Sequence, residues 1–247
     1  MGKGLISSKD KLKITRMKKI LRAFKHGAAV MLGVFRRPGR FSIYHYGRPE
    51  AMKYLKAAED GIVLDLGCGS RFLSPKVIGV DLMPGQYVKL ISDAEKLPLK
   101  DKSCDGIWMD AILEHTVSPE NLLREARRVL KEGGWLYAEI PFLQGEHQAP
   151  ADYRRWTRDG LRQLFNAWNI QWVDNVVGPF SVISYQLRCC FSLLTSFGSD
   201  KTYRIVHEAV WSYVFWPIKF LDIFFKNHPR AKENSFGFGI MVKKEIE

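Results

Sequence analysis

Short apolar runs and helical segments alternate along this 247-residue chain from about residue 61 onward. Five runs have the length and composition of buried strands, and each stops near a glycine, an acid or a proline. These runs are Ile62–Leu66, Val77–Val80, Tyr87–Ile91, Asp105–Met109 and Trp135–Ile140. Strands that alternate with helices predict a parallel sheet with helices on both faces.

The clearest predicted helix lies between the fourth and fifth runs. Ser118 is a suitable N-cap, Pro119 suits a first helical turn, and apolar residues then recur at helical spacing as far as Leu130. We expect Gly133 and Gly134 to end this helix.

The C-terminal part of the chain predicts two more strands and further helices. A helix is expected at about residues 160–167, a sixth strand at Ile170–Val177, and a last strand at Phe236–Val242, antiparallel at the sheet edge. Aromatic residues are frequent at residues 179–235 and follow helical spacing in two parts. Aromatic residues at helical spacing are typical of a hydrophobic core. The predicted sheet closes without this segment, however, so we interpret it as a helical insertion that caps the candidate site.

Nearly all of the net positive charge lies in an N-terminal arm. The net charge is +12, and residues 1–40 contain twelve lysines and arginines but a single acid, Asp10. Apolar residues recur there at helical spacing and predict a basic amphipathic helix; they are Met17, Ile20, Leu21, Phe24, Ala28, Met31, Leu32 and Phe35. The domain boundary is therefore expected near residue 40, with the body at residues 41–247. The arm has three interpretations: a lid on the body, an anchor on an anionic membrane surface, or a transit peptide.

The cysteines favour a reducing compartment. Cys68, Cys104, Cys189 and Cys190 form no Cys-x-x-Cys pair, and no cluster has the sequence spacing of metal ligands, so no metal is predicted. No secretory signal is recognisable, and no stretch approaches the roughly 20 uncharged apolar residues of a membrane span. We expect a cytoplasmic protein, with peripheral membrane attachment through the arm.

The strand ends carry the candidate ligand site. Gly67 and Gly69 follow the first strand, where a turn too tight for a Cβ brings backbone close to a ligand. Asp81 ends the second strand and can accept hydrogen bonds from both hydroxyls of a ribose. Asp93 ends the third strand, where it can face an adenine amino group. A generic glycine turn is the alternative, while a dinucleotide site would need a glycine in place of Phe72.

Residues 63 to about 165 resemble class I methyltransferases, in particular the type 11 group that includes quinone-ring methyltransferases. The matching stretches are Val63–Gly69, Ile78–Asp81, Asp93–Leu99, Ser103–Asp105, Leu113–His115, Arg127–Gly134 and His147–Leu161. The resemblance implies a Rossmann-like, seven-stranded, mostly parallel sheet with S-adenosylmethionine as the cofactor. It also implies cofactor-binding residues: Asp65, Gly67, Cys68 and Gly69 at the methionine end, Asp81 and Leu82 at the ribose, Asp93 and Ala94 at the adenine, and Asp110 through His115 beneath the sulfonium.

Two departures from the family pattern affect this site. Arg71 stands where the family has a third glycine. Only the residues from Gly67 to Lys76, with Pro75 among them, separate the first two strands, whereas a helical crossover normally needs about a dozen or more. We therefore expect the first helix to be reduced to a turn or two.

Histidines beyond the fourth and fifth strands are the candidate proton acceptors. Methyl transfer from a sulfonium mainly requires alignment and exclusion of water, and a base only where the nucleophile must lose a proton. His115 and His147 are predicted for this role, with Asp152 orienting His147. The alternative for His115 is that it packs against the cofactor and transfers no proton.

The sequence predicts a methyltransferase that acts on a small or lipid-linked acceptor. The usual DNA amino-methylation motif is absent after the fourth strand, and no cysteine for C5-pyrimidine chemistry follows the fifth. An RNA methyltransferase is the alternative enzyme, although the aromatic residues of the arm lie on its apolar face rather than as stacking platforms. A non-catalytic cofactor-binding module is the alternative from another class, because of Arg71 and the short crossover.

Overall fold

The computed structural model describes residues 48–58, 60–147, 151–225 and 228–246. The predicted N-terminal arm, residues 1–40, lies outside these residues. Two compact units divide the described chain: residues 185–217 form one, and residues 48–184 together with 218–246 form the other. No helix among the described residues combines the length and the apolar character that crossing a membrane requires.

The larger unit contains a seven-stranded sheet. Its strands are β1 (Val63–Leu66), β2 (Ile78–Asp81), β3 (Val88–Ile91), β4 (Cys104–Asp110), β5 (Leu130–Pro141), β6 (Asn169–Val177) and β7 (Gly237–Lys243). The order across the sheet is β3-β2-β1-β4-β5-β7-β6. Strands β1 to β5 pair in parallel, and β7 is antiparallel to both of its neighbours. This order confirms the predicted Rossmann-like fold class.

The described residues also form helical segments of α and 3₁₀ geometry. They are α1 (Arg48–Ala57), a 3₁₀ turn (Leu113–His115), α2 (Pro119–Val129), α3 (Arg158–Leu164), α4 (Pro179–Ser196), 3₁₀ segments at Trp216–Phe220 and Pro229–Glu233, and α7 (Leu221–Phe225). Residues 200–215 add α5 (Asp200–Val206), a π-helical turn (His207–Trp211) and α6 (Ser212–Phe215).

Alternate residues along the central strands face two different apolar layers. Ile107 and Met109 of β4 pack with α2 and α3, whereas Trp108 between them packs with α1. Because strand side chains alternate between faces, one buried strand serves both layers. The sheet is thereby held between helices, and its carboxyl edge is left for the loops that carry the candidate site.

Two local predictions were wrong. The last strand does not lie at the sheet edge but between β5 and β6. Its residues are buried on both faces as far as Val242, which is what a central strand requires. The helix before β5 ends at Val129, ahead of the two glycines, because Leu130 already pairs with Cys104 as strand. Ser118 occupies the N-cap position of that helix, but its side chain makes no capping hydrogen bond.

The crossover between β1 and β2 contains no helix, which confirms its predicted reduction. Two isolated turns replace the helix: Arg71 N–H donates to Cys68 O at 2.8 Å, and Val77 N–H donates to Ser74 O at 3.2 Å. One flank of the candidate site is therefore formed by an irregular loop.

Candidate active site

The turn after β1 requires glycine at two positions. Gly67 has φ +63° and Gly69 has φ +51°, both in the left-handed region. A Cβ on Gly67 would come within 2.8 Å of the Ile112 side chain, whereas one on Gly69 would meet no described atom within 4 Å. Cys68 between them is buried, and burial raises the pKa of its thiol. The turn therefore presents exposed backbone at Gly69.

Asp81 joins the ends of the first two strands. Its Oδ2 accepts a hydrogen bond from Gly69 N–H at 2.8 Å, and its Oδ1 accepts one from Met83 N–H at 3.0 Å. A carboxylate oxygen has room for a second donor, so Asp81 can also accept from a ligand hydroxyl. Leu82 beside it is 62% exposed, so its side chain is accessible to a ligand.

The end of β3 supplies the next pair of predicted residues. Asp93 is exposed and accepts a hydrogen bond from Glu95 N–H at 2.9 Å, and Ala94 is buried. Because β3, β2 and β1 are adjacent and parallel, Asp93, Asp81 and Gly69 follow neighbouring strand ends in that order. The sheet thus brings the predicted adenine, ribose and methionine residues into one line, and their roles stay predictions.

Arg71 folds back onto two carboxyl groups at the methionine end. Its Nε lies 3.0 Å from Asp65 Oδ2 and its Nη2 lies 2.5 Å from Asp65 Oδ1, a bidentate pair. Its Nη1 lies 3.2 Å from Asp110 Oδ2. Asp65 is almost fully buried, and burial raises its carboxyl pKa although the Arg71 hydrogen bonds lower it. Arg71 is therefore a component of the site rather than a surface residue.

Further charged residues complete this cluster from α1 and β5. Arg48 Nη2 donates to Asp110 Oδ2 at 2.9 Å, and Arg48 Nε lies 3.5 Å from Glu139 Oε1. The Tyr137 hydroxyl donates to Glu139 at 2.6 Å. Burial, followed by the nearby charge of Asp110, raises the pKa of Glu139. The cluster holds three carboxyl groups, Asp65, Asp110 and Glu139, against two guanidinium groups, and the raised pKa of Glu139 favours its neutral form.

A second cluster lies in the loops after β4 and β5. Glu114 is fully buried, and neither of its carboxylate oxygens has a hydrogen-bond partner among the described residues. The Nε2 atoms of His115 and His147 each lie 3.7 Å from Glu114 Oε1. The two imidazole rings meet edge to face with centroids 5.0 Å apart. The structure thus brings together both predicted histidines around an acid.

The other ring nitrogen, Nδ1, of each histidine faces an oxygen atom. His115 Nδ1 lies 2.5 Å from the Ala151 carbonyl oxygen, which can only accept, so this nitrogen carries the proton. His147 Nδ1 lies 3.3 Å from Asp152 Oδ2, an electrostatic contact outside hydrogen-bond geometry, and the same oxygen accepts from His147 N–H at 2.9 Å. The Nε2 atom of His115 therefore faces Glu114 with its lone pair, and the Nε2 atom of His147 faces the same carboxyl oxygen.

The protonation of this second cluster follows from its burial. Desolvation raises the pKa of Glu114 to about 7, and desolvation lowers the pKa of His147. Arg155 is held by hydrogen bonds to Asp152, which lower the pKa of that carboxyl far below its ordinary value. Near neutral pH the imidazole of His147 is therefore uncharged and able to accept a proton.

A short strained segment connects the two clusters. Ala111 has φ +56°, a conformation that costs a non-glycine residue about 1–2 kcal/mol. It stands between Asp110 of the charged cluster and Ile112, whose side chain lies against Gly67. The 3₁₀ turn with Glu114 and His115 follows at once. Strain of this kind often accompanies a functional site.

Sequence reasoning missed Arg48 and Glu139, and it included Glu114 in the stretch Asp110–His115 without giving it a role of its own. Arg48 and Glu139 lie far from the glycine turn in the sequence, so only the fold brings them near it. Glu114 carried a usable signal: it precedes His115 in a stretch that matches the family pattern, and an acid there needs a partner if buried.

A family model described as a methyltransferase domain matches residues 64–138, the stretch from β1 through most of β5. This stretch is similar to a methyltransferase domain, and the rest of the chain lies outside the match. The predicted resemblance to class I, type 11 methyltransferases is therefore confirmed.

Two relatives match parts of this chain. An uncharacterized methyltransferase of Mycobacterium tuberculosis is 35% identical over 114 residues, which are 38% of this chain and 46% of that protein. The malonyl-[acyl-carrier protein] O-methyltransferase of Marinomonas is 42% identical over 97 residues, 30% of this chain and 36% of that enzyme. The match therefore spans less than half of the length of either relative.

Solved structures also align with this chain. The 1,6-didemethyltoxoflavin-N1-methyltransferase of Burkholderia thailandensis aligns with 100% of this chain and 94% of its own, with 13% identity and a TM-score of 0.48. At this level of similarity no substrate or residue role is transferred.

Proposed function

We propose that this protein transfers a methyl group from S-adenosylmethionine to a small or lipid-linked acceptor. The observation that carries the proposal is the contact between the glycine turn and Asp81, with Asp65 buried behind it. This arrangement lies within the stretch that matches the methyltransferase domain. It places exposed backbone, a hydrogen-bond acceptor for a ribose and further acids at successive strand ends.

The residues present fit the cofactor in charge and in space. S-adenosylmethionine carries a sulfonium and an ammonium beside one carboxylate, and the acids and guanidinium groups of the first cluster offer partners for both signs of charge. Asp65 and Asp110 would hold the amino group, and Arg71 is the matching partner for the carboxylate. Gly69 leaves the space that a Cβ would fill. When bound, the cofactor supplies an electrophilic methyl group.

The acceptor side is formed by residues after β5. His147 is placed to take a proton from an acceptor hydroxyl or amine, and Asp152 would fix its ring. The buried surroundings of Glu114 and His115 keep water from this region.

Apolar surface nearby supports a hydrophobic acceptor. A groove of about 410 Å³ is lined mainly by apolar residues that include Leu143, Phe180, Ile183 and Phe225. Leu143 belongs to the loop that follows β5, the same loop that carries His147. A lipid-linked or aromatic acceptor would bury this surface.

Membrane-surface action remains part of the proposal, with an anionic lipid surface as partner. The net positive charge of residues 1–40 supports it, since each basic residue near an anionic surface contributes about 1 kcal/mol to membrane binding. In the unit at residues 185–217, Leu193, Leu194 and Phe197 are strongly exposed. Flotation with anionic and neutral liposomes, for the full chain and for residues 41–247, tests the anchor. Equal flotation of both would remove it.

The experiment that tests the activity uses labelled S-adenosylmethionine with a cell extract. Label in lipid or small metabolites supports the proposal, and label in RNA favours the alternative enzyme. Cofactor binding with no transfer to any fraction favours a non-catalytic binding module, an alternative that the occupation of Asp65 by Arg71 supports.

A further inference from the structure

The cluster of Glu114, His115 and His147 combines three groups that prefer the same kind of ligand. One carboxylate oxygen and two imidazole nitrogens, one from each residue, lie within 4.8 Å of one another. From this geometry we infer that Glu114, His115 and His147 bind a divalent transition-metal ion of the zinc type. This inference does not depend on methyl transfer.

The distances are close to those of a metal centre. In a tetrahedral site with bonds of about 2.0–2.1 Å, two ligand atoms lie about 3.4 Å apart. The Glu114 Oε1 atom lies 3.7 Å from each Nε2 atom. A contraction of a few tenths of an ångström would bring these two distances to the tetrahedral value, and the third ligand distance starts from within 4.8 Å.

The buried carboxylate gives an independent reason. Both oxygens of Glu114 lack a hydrogen-bond partner among the described residues, and its side chain is fully buried. A buried carboxylate is unfavourable unless it is protonated, paired or bound to a metal. Arg155 does not fill this role, because its guanidinium is held by Asp152 and by the Gln144 and Gly145 carbonyl oxygens.

The surroundings of the histidines have the form of an outer ligand shell. Metal-bound histidines generally donate their other ring N–H to a carbonyl or a carboxylate, which fixes the free nitrogen towards the metal. Ala151 O serves His115 in this way, and Asp152 approaches His147.

Three protein ligands leave one coordination position open. Catalytic zinc sites have this composition, with water or substrate in the fourth position. If the proposed methyltransferase function holds, the ion would replace His147 as the group that promotes deprotonation, because its Nε2 is then a ligand, and an acceptor oxygen bound to the ion would lose its proton more easily.

The test uses tag-free, full-length protein stripped of metal with a chelator. Zinc is titrated by calorimetry, and cobalt is titrated by its visible absorption. We expect one ion per chain and a cobalt spectrum of nitrogen and oxygen ligands, without the charge-transfer bands that cysteine produces. No saturable binding by the wild-type chain would overturn the inference, and so would a sulfur-type spectrum.

Graded variants separate the ligands from their supports. Glu114→Gln and His147→Ala should each abolish stoichiometric binding. Asp152→Asn should weaken it about 10- to 100-fold, since it removes only an outer-shell group. His228→Ala, at an exposed histidine outside the cluster, is the matched control and should bind as the wild type does.

Folding of each variant is checked by circular dichroism. Glu114→Gln replaces an unpartnered carboxylate with a neutral group of the same shape, so the metal-free variant should fold. Retained one-to-one binding in both Glu114→Gln and His147→Ala would overturn the inference.

Discussion

Replacement of Arg71 by methionine tests whether the arginine neutralises a buried acid. The change keeps much of the apolar stem but removes two hydrogen bonds to Asp65, whose side chain is 2% exposed. Loss of one partner from a buried ion pair costs about 3–5 kcal/mol. Because the Arg71 side chain is 20% exposed, we expect the lower end, about 3 kcal/mol at neutral pH.

The sign of the pH dependence follows from the carboxyl group left behind. Arg71 lowers the pKa of Asp65 in the native protein, so its removal raises that pKa further above the unfolded value of 3.8. The native variant then binds a proton that the unfolded chain has released. The free energy of unfolding of the variant therefore falls as the pH rises through this interval. Its difference from the wild type becomes smaller towards acid pH.

Urea unfolding followed by tryptophan fluorescence at about pH 5 and pH 7.5 measures both effects. Adding Asp65→Asn to the variant should recover part of the loss, because the uncompensated charge is then gone. Arg162→Met, which removes an exposed helix-surface pair with Asp159, should change little. A deficit at neutral pH below about 1 kcal/mol, or one that does not change with pH, would refute this account of Arg71.

Three further changes probe the glycine turn, the cofactor and the acceptor side. Asp81→Asn should weaken S-adenosylhomocysteine binding by about 1.5–3 kcal/mol in calorimetric titration, and unchanged affinity would contradict the ribose assignment. Gly67→Ala should lower the melting temperature more than Gly69→Ala, because both strain a positive φ but only the first collides with Ile112; equal melting temperatures would show that the collision is relieved. His147→Ala should reduce turnover more than cofactor affinity, and proportional changes in kcat and cofactor Kd would exclude the base role.

Much of the sheet could be predicted because its signals are local. The end of β1 at Gly67 and the end of β2 at Asp81 follow from short apolar runs and their stops, and the structure places both as predicted. The position of β7 inside the sheet could be predicted only by comparing the apolar patterns of β6 and β7. The apolar run in β7 covers both faces, whereas β6 begins half-exposed, as an edge strand does.

The candidate site was only partly accessible from the sequence. Asp81 and the glycines were recognisable because each stands at a strand end. The contacts of Arg71 with Asp65 and Asp110 were not, since they depend on how one irregular loop folds. Glu114 and His147 are brought together by the parallel pairing of β4 and β5. Their separation along the sequence does not predict this contact.

The missing helix between β1 and β2 affects how cofactor binding can be observed. Residues 67–77 carry isolated turn bonds in place of a helical ladder, so their amides should exchange with solvent through small local openings rather than through global unfolding. Amides within β4 and β5 exchange only through much larger openings, because they belong to the central ladder. A cofactor held across this loop should therefore slow amide exchange there first, and leave the exchange of the central strands almost unchanged.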